Sequence, residues 1–261
     1  MLRPLSLTVA ALALTALATE AAAQSQPFER AGPRQDWTVD VGVGAIYSRD
    51  AGGDTGGQGN VIPYIAANWR DRLYFSPFEG LGWNVVYTET FRAGVQLRPR
   101  FSPEDIEGLT LDRPDFGADA AVYAYQRLPG NIVVGGRISR DVSGVSDGTE
   151  YQASIAHQRR TPVGVLNASA YVQGGDQKLA DAYYGVSSAE ALTNAISAYR
   201  PDGGLQAAGT TLLLVSPVSR DWAVGGLVNY ERRLGDIADS PLSRNDDSWR
   251  VGMFVSRRFG G

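Results

Sequence analysis

The chain has 261 residues, with 24 Lys and Arg against 28 Asp and Glu and a net charge of -4. That balance leaves no basic footprint for nucleic acid. The absence of cysteine excludes a lipid-modified N-terminal anchor, disulfides, thiol catalysis and thiolate metal sites.

Arg3 supplies a positive start, Leu5 to Leu17 an apolar run, and Ala21-Ala22-Ala23 a small-residue cleavage pattern. Together they predict a leader over 1–23, removed after Ala23. The run is too short to span about 30 Å of hydrocarbon comfortably, and Glu20 closes it. Residues 24–35, with Pro27 and Pro33 and few apolar side chains, are expected to form a disordered lead. The remainder, 36–261, is expected to be one domain.

From Trp37 the pattern becomes two-periodic. Trp37, Val39, Val41, Val43, Ala45 and Tyr47 alternate with Thr38, Asp40, Gly42, Gly44 and Ser48. The same alternation recurs from Phe116 to Tyr125, Asn131 to Ser139, Tyr151 to Gln158, Trp222 to Glu231 and Trp249 to Phe259. Segments of this length fit strands of about 9–11 residues that cross a bilayer with aromatic residues at both ends. Asp40, Asp119, Arg137, Glu231 and Arg250 fall on the second face, where a lumen would solvate them.

Short connections fall at Arg70-Asp71, Thr88–Thr90, Arg127–Gly130, Arg159–Pro162 and Pro217–Asp221. Longer polar stretches occupy 49–59, 102–114, 141–148, 174–203 and 234–247. Short turns at one face and long loops at the other describe an all-β, transmembrane, antiparallel up-and-down barrel with short periplasmic turns and long extracellular loops. Keeping the alternation in phase requires a further reversal near Phe78–Gly82. With it the count is about twelve strands; without it, ten. A soluble β-sandwich would also alternate, but the strand length, the leader and the asymmetry of turns favour the barrel. Ser188–Ala198 reads as a short helix within the longest loop, capped by Ser188 and with Ala191, Leu192, Ala195 and Ile196 on one face.

Three segments resemble the MipA/OmpV family of outer-membrane proteins, the MltA-interacting proteins. They are Arg72–Phe75 with Glu79–Asn84; Ala182–Ser187 continuing to Tyr199–Gly204; and Tyr230–Leu242. The resemblance covers essentially the whole chain after the leader. The terminal strand departs from the family pattern by running past Phe259 to Gly260-Gly261 and by carrying Arg257 where an apolar residue is usual. The resemblance implies contact with outer-membrane lipid and lipopolysaccharide, and a scaffold that bridges a lytic transglycosylase to a murein synthase of the penicillin-binding type. Relatives also act in adhesion, osmotic response or antibiotic susceptibility, so the family assigns location and architecture better than task.

Catalytic chemistry finds little support. The single histidine, His157, lies at odd spacing from Ser154, which turns the two side chains to opposite faces of a strand. The acidic loop residues Asp50, Asp54, Glu104, Asp105, Glu107, Asp141, Asp147, Asp236, Asp239, Asp246 and Asp247 could offer oxygen ligands, but their spacing matches no calcium loop. Gly52–Gly57 is no phosphate cradle, because no Lys-Ser/Thr follows it. No cofactor or metal is therefore expected. Tyr183, Tyr184, Tyr199, Asp236, Asp239, Ser240 and Pro241 are the candidate interaction residues; for the Asp-Ser-Pro group a plain turn is the competing reading. Three functions remain: an envelope scaffold, a narrow pore, or an outer-membrane hydrolase, the last with the least support.

Overall fold

Opposite chemistries on alternate residues can both be satisfied only if a sheet separates two different environments. The computed structural model, which describes Phe28 and residues 35–49, 58–77, 79–101, 106 and 108–261, does this by closing the sheet on itself. Its strands are β1 (Trp37–Arg49), β2 (Gln58–Trp69), β3 (Leu73–Ser76), β4 (Gly80–Tyr87), β5 (Phe91–Arg100), β6 (Gly117–Leu128), β7 (Ile132–Asp141), β8 (Thr149–Thr161), β9 (Gly164–Gly175), β10 (Gly204–Pro217), β11 (Trp222–Arg233) and β12 (Asp247–Gly260). Each strand pairs antiparallel with its sequence neighbours, and β12 returns to β1 to close the barrel. Because β3 and β4 are both present, the count is twelve and the ten-strand alternative falls.

Closure follows from the solvent. In hydrocarbon, backbone N–H and C=O groups have no water to bond, so a sheet must leave almost no free edge. The barrel is accordingly built inside out. Val61 is 73% and Met253 70% exposed on the outer face, whereas Asn84 and Asn229 are fully buried inside. Aromatic residues mark both rims. Trp37 pairs with Trp69 at the end that carries the C-terminus, and Tyr230 packs on Trp249 at the other, with ring centroids 4.6 Å apart. Phe259 pairs with Val39 in the closing seam. Arg257 lies on the outer face near that rim, its guanidinium 5.0 Å from the Phe259 ring.

Turn lengths divide as expected. At the turn end, Arg70 and Asp71 adopt φ of 49° and 58°, and Arg72 N–H donates to the Trp69 carbonyl at 2.9 Å, which is the arrangement of a type I′ hairpin turn. A 3-10 turn at Pro129–Asn131 joins β6 to β7. By the outer-membrane rule this is the periplasmic face. The opposite, loop end carries the long connections, apart from the tight β3–β4 reversal at 77–79.

Several expectations lie outside the described residues: the leader over 1–23 with cleavage after Ala23, the lead over 24–35 except Phe28 and Gln35, the loop residues Asp50, Asp54, Glu104, Asp105 and Glu107, Gly52–Gly57, and Phe78 within the reversal.

Candidate functional site

The longest loop folds over the loop end of the barrel. It begins with helix α1 (Gln177–Tyr184), which the sequence reading missed. Asp176 caps it by accepting from Leu179 N–H at 2.9 Å, and the other carboxylate oxygen of Asp176 accepts from Thr149 N–H at 3.0 Å. Leu179 seats against Gly148 and Gly175, where an added Cβ would lie 2.7 and 2.6 Å from its side chain. The following helix, α2, spans Ser188–Asn194 and ends earlier than expected, at Ala195 with φ 53°. Its cap is Ser187, not Ser188, because Ser187 and Glu190 form a reciprocal capping box one residue earlier. Leu192 is 85% exposed, so the apolar face expected for this helix is not buried.

Two further loops tie this fold down. From the β5–β6 loop, Asp112 N–H donates to Glu190 at 2.9 Å, Arg113 donates to Glu190 at 3.2 Å and to the Gly185 carbonyl at 3.0 Å, and Thr110 exchanges two hydrogen bonds with Asn194. From the β11–β12 loop, Ser240 Oγ donates to the Tyr184 carbonyl at 2.6 Å, and Asp236 accepts from Asp202 N–H at 3.1 Å. Tyr199 Oη donates to the Asp236 carbonyl at 2.8 Å. The Arg233 guanidinium lies 5.1 Å from the Tyr184 ring.

The candidate interaction residues therefore come together, as parts of an internal clasp. Tyr184, Tyr199, Asp236 and Ser240 make its contacts. Asp239 and Pro241 belong to the turns that shape it, with Asp239 N–H on the Asp236 carbonyl at 3.2 Å and Leu242 N–H on Ser240 Oγ at 3.2 Å. Tyr183 points inward, 5.8 Å from the Arg100 guanidinium, and burial pushes its hydroxyl up to about 12.

Under the clasp lies a charged lumen. Glu150 receives Arg98 and Arg137 at 3.2 Å each on one oxygen and Arg100 at 3.3 Å on the other. Arg100 also holds Asp119 in a two-point contact, its Nε 2.9 Å from Oδ1 and its Nη2 on Oδ2. Three guanidiniums thus face two carboxylates, and Arg98, Arg100, Asp119 and Glu150 of this cluster line a cavity of about 120 Å³ with Gln173, Tyr183 and Gln206. Gln173 Oε1, Tyr183 Oη and Gln206 Nε2 are buried without a hydrogen-bond partner among the described residues.

All five expected lumen charges face inward, and each has a partner. Asp40 takes Arg258 at 2.9 and 3.0 Å. Asp119 and Arg137 join the cluster above. Glu231 accepts from Tyr171 at 2.8 Å, and Arg250 donates to Asn229 at 3.0 Å. Near the turn end, Tyr123 donates to Asn84 at 2.7 Å, and Arg92 lies 4.3 Å from the Phe28 ring. Phe28 N–H donates to Gln158 at 2.9 Å, so this residue of the lead enters the lumen. Arg98, Arg100 and Glu150 were not singled out from the sequence, although Arg98 and Arg100 stand two apart in Gln-Leu-Arg-Pro-Arg. His157 faces outward on β8 while Ser154 faces the lumen, the opposition expected from their spacing.

The sequence matches the model of the MltA-interacting protein MipA over residues 41–259. The chain belongs to the MipA family. Its three family-like segments now have structural meanings: the β3–β4 hairpin, and the two loops that clasp each other at the loop end. Among solved structures this MipA-family barrel is similar to the NanC porin (TM-score 0.45, 9% identity, 83% of this chain and 98% of that one). It is also similar to an outer membrane channel from Pseudomonas putida F1 (TM-score 0.45, 9% identity, 89% and 99%) and to the KdgM porin (TM-score 0.38, 8% identity, 83% and 97%). No curated protein gives a significant match.

Proposed function

We propose that this MipA-family barrel is a non-catalytic scaffold of the Gram-negative envelope, exported by a cleaved leader and holding a murein-cleaving lytic transglycosylase beside a murein synthase. The carrying observation is the clasp: loops bond to one another at the loop end, Leu179, Tyr183 and Ile237 face the charged cavity beneath them, and the five expected lumen charges are engaged by other groups of the chain. A barrel arranged in this way offers surfaces rather than an aqueous passage across the membrane or a reaction centre. The family's printed name, MltA-interacting protein, supports the same reading.

Murein enzymes work in the periplasm, so the docking face is the turn end. There Arg72, Arg159, Arg160, Arg220 and Arg257 are exposed beside Glu89 and Asp221, with Arg70 paired to Asp36, and the excess of arginine presents a basic rim suited to an acidic partner. On this reading the clasp residues at the other end maintain closure and do not touch the partner. The test is crosslinking in intact envelopes with the wild type, a double variant Arg159→Glu/Arg220→Glu, and a clasp variant Ser240→Ala. Capture of murein enzymes by the wild type and the clasp variant, and its loss in the double variant, is expected. No murein enzyme captured by any of the three contradicts the proposal.

A further inference from the structure

One part of the barrel wall is low. β3 is four residues long and meets β2 only through Ala67–Phe75, Asn68–Tyr74 and Trp69–Leu73. The pairing of β4 with β5 stops at Leu81–Leu97. Toward the loop end, among the described residues, Gln58–Ala66 of β2 pairs only with β1, and Arg98–Arg100 of β5 pairs only with β6. A notch therefore separates β2 from β5, with the β3–β4 reversal as its sill. It lies within the apolar band, because Tyr47 at the loop-end rim pairs with Gly59 and Trp37 at the turn-end rim pairs with Trp69.

Both sides of the notch carry proline inside a strand, Pro63 in β2 and Pro99 in β5. Proline cannot donate to a ladder and is confined to edges and bulges. It also blunts an edge against a further strand. An added β-strand is thus a poor occupant for this gap, although a free sheet edge facing only lipid is unfavourable.

The lumen behind the notch is lined unevenly, with its larger apolar side chains gathered on one side. On β5–β9, inward residues such as Gln96, Arg137, Gln152 and Asn167 are polar and buried. On β1, β2 and β10–β12, the inward Ile46, Ile62, Tyr64, Leu213, Leu227 and Phe254 are apolar or aromatic and only half-buried, a patch set among the polar Thr38, Ser48, Asn229, Arg250 and Ser256. Tyr64 stacks on Phe254 with centroids 5.3 Å apart. Phe254 lies flat over Gly225, where a Cβ would come within 2.2 Å of its ring. Ile62 belongs to the notch strand itself and borders Gly44, whose Cβ would lie 3.7 Å from it. Accessible apolar surface inside a wet lumen is unfavourable unless something apolar covers it, and here it adjoins the gap that the described residues leave toward hydrocarbon.

We infer that the β2–β5 notch is a lateral portal through which a single-chain hydrophobic solute of fatty-acid type passes from the membrane onto the Ile62–Tyr64–Phe254 wall. A twelve-stranded bore is narrow once side chains fill it, which favours a single chain over a two-chain lipid. This inference does not depend on the scaffold reading, since a barrel that fails to capture murein enzymes keeps the same notch.

The chain has no native cysteine, so single-cysteine labelling tests the portal directly. Ile62→Cys, the lipid-facing control Val61→Cys and the polar-wall control Gln152→Cys are labelled with bimane and reconstituted in phospholipid vesicles, with heat-dependent gel mobility confirming the fold. Phe254→Cys replaces Ile62→Cys should the latter fail to fold. The quenchers are a spin-labelled fatty acid and a spin-labelled diacyl phospholipid. The label at 62 is expected to lose most of its emission to the fatty acid, saturably and reversibly with unlabelled fatty acid, and little to the diacyl lipid. A label at 62 as insensitive as the one at 152 overturns the portal. Equal, non-saturating quenching by both probes overturns the single-chain solute.

Discussion

Glu150 is the residue on which the lumen cluster turns, since it accepts from three arginines of β5 and β7. Glu150→Gln keeps the shape but leaves three guanidiniums facing only Asp119. Removing one partner from a buried ion pair costs about 3–5 kcal/mol, and a loss of that size is expected in urea titrations of the barrel in lipid; an unchanged midpoint contradicts it. Period-two spacing made Asp40, Asp119, Arg137, Glu231 and Arg250 legible as lumen residues before any fold was known. Arg98 and Arg100 were not legible because Pro99 between them obscured the strand. Glu150 was hidden by its place as the second residue of β8, beside a polar loop.

Glu190 shows what pH does to the clasp. Burial alone would raise its carboxyl, but hydrogen bonds from the Ser187 N–H and hydroxyl and from Asp112 N–H, with the nearby Arg113 guanidinium, hold it below the usual carboxylate range. A carboxylate depressed in this way adds stability that is fully present above the unfolded value of about 4.3. That stability is lost as the pH falls through the folded value. Protection factors over α2 and the 108–113 segment are therefore expected to hold at neutral pH and to fall in acid. Protection that does not change on acidification contradicts the role given to Glu190.

At the scale of elements, the strands were readable and the loop helices only partly so. Strands announce themselves because lipid and lumen demand opposite chemistry at alternate residues. The clasp helices face no such demand, and their positions are decided by caps and by contacts far apart in sequence. α1 forms because Asp176 caps it and because Gly148 and Gly175 leave room for Leu179, neither of which a local pattern reveals. Asp176→Ala is expected to cost about 1 kcal/mol and to speed proteolysis within 177–203, leaving the strands intact; resistance equal to the wild type contradicts the capping role. The short β3 was legible only as a phase requirement. Its consequence for the wall appears when the pairings of β2 and β5 are set side by side.

For the whole molecule, ends and sides have separate duties. The turn end carries exposed arginines, three loops hydrogen-bond to one another at the loop end, and the wall is low at β3–β4 among the described residues. Two of the family-like segments, 182–204 and 230–242, meet in space at Tyr184–Ser240 and Tyr199–Asp236. Sequence alone could not choose between partner contact and internal closure for them, because both uses favour the same polar and aromatic residues.

Single-channel conductance in planar bilayers tests closure most directly. Gly175 and Gly204 are paired neighbours, so 176–203 can be replaced by a short glycine-serine turn without displacing β9 or β10. The intact barrel is expected to be silent and the shortened one to conduct. An intact barrel that conducts as freely as the shortened one would contradict the closed lumen on which the account rests.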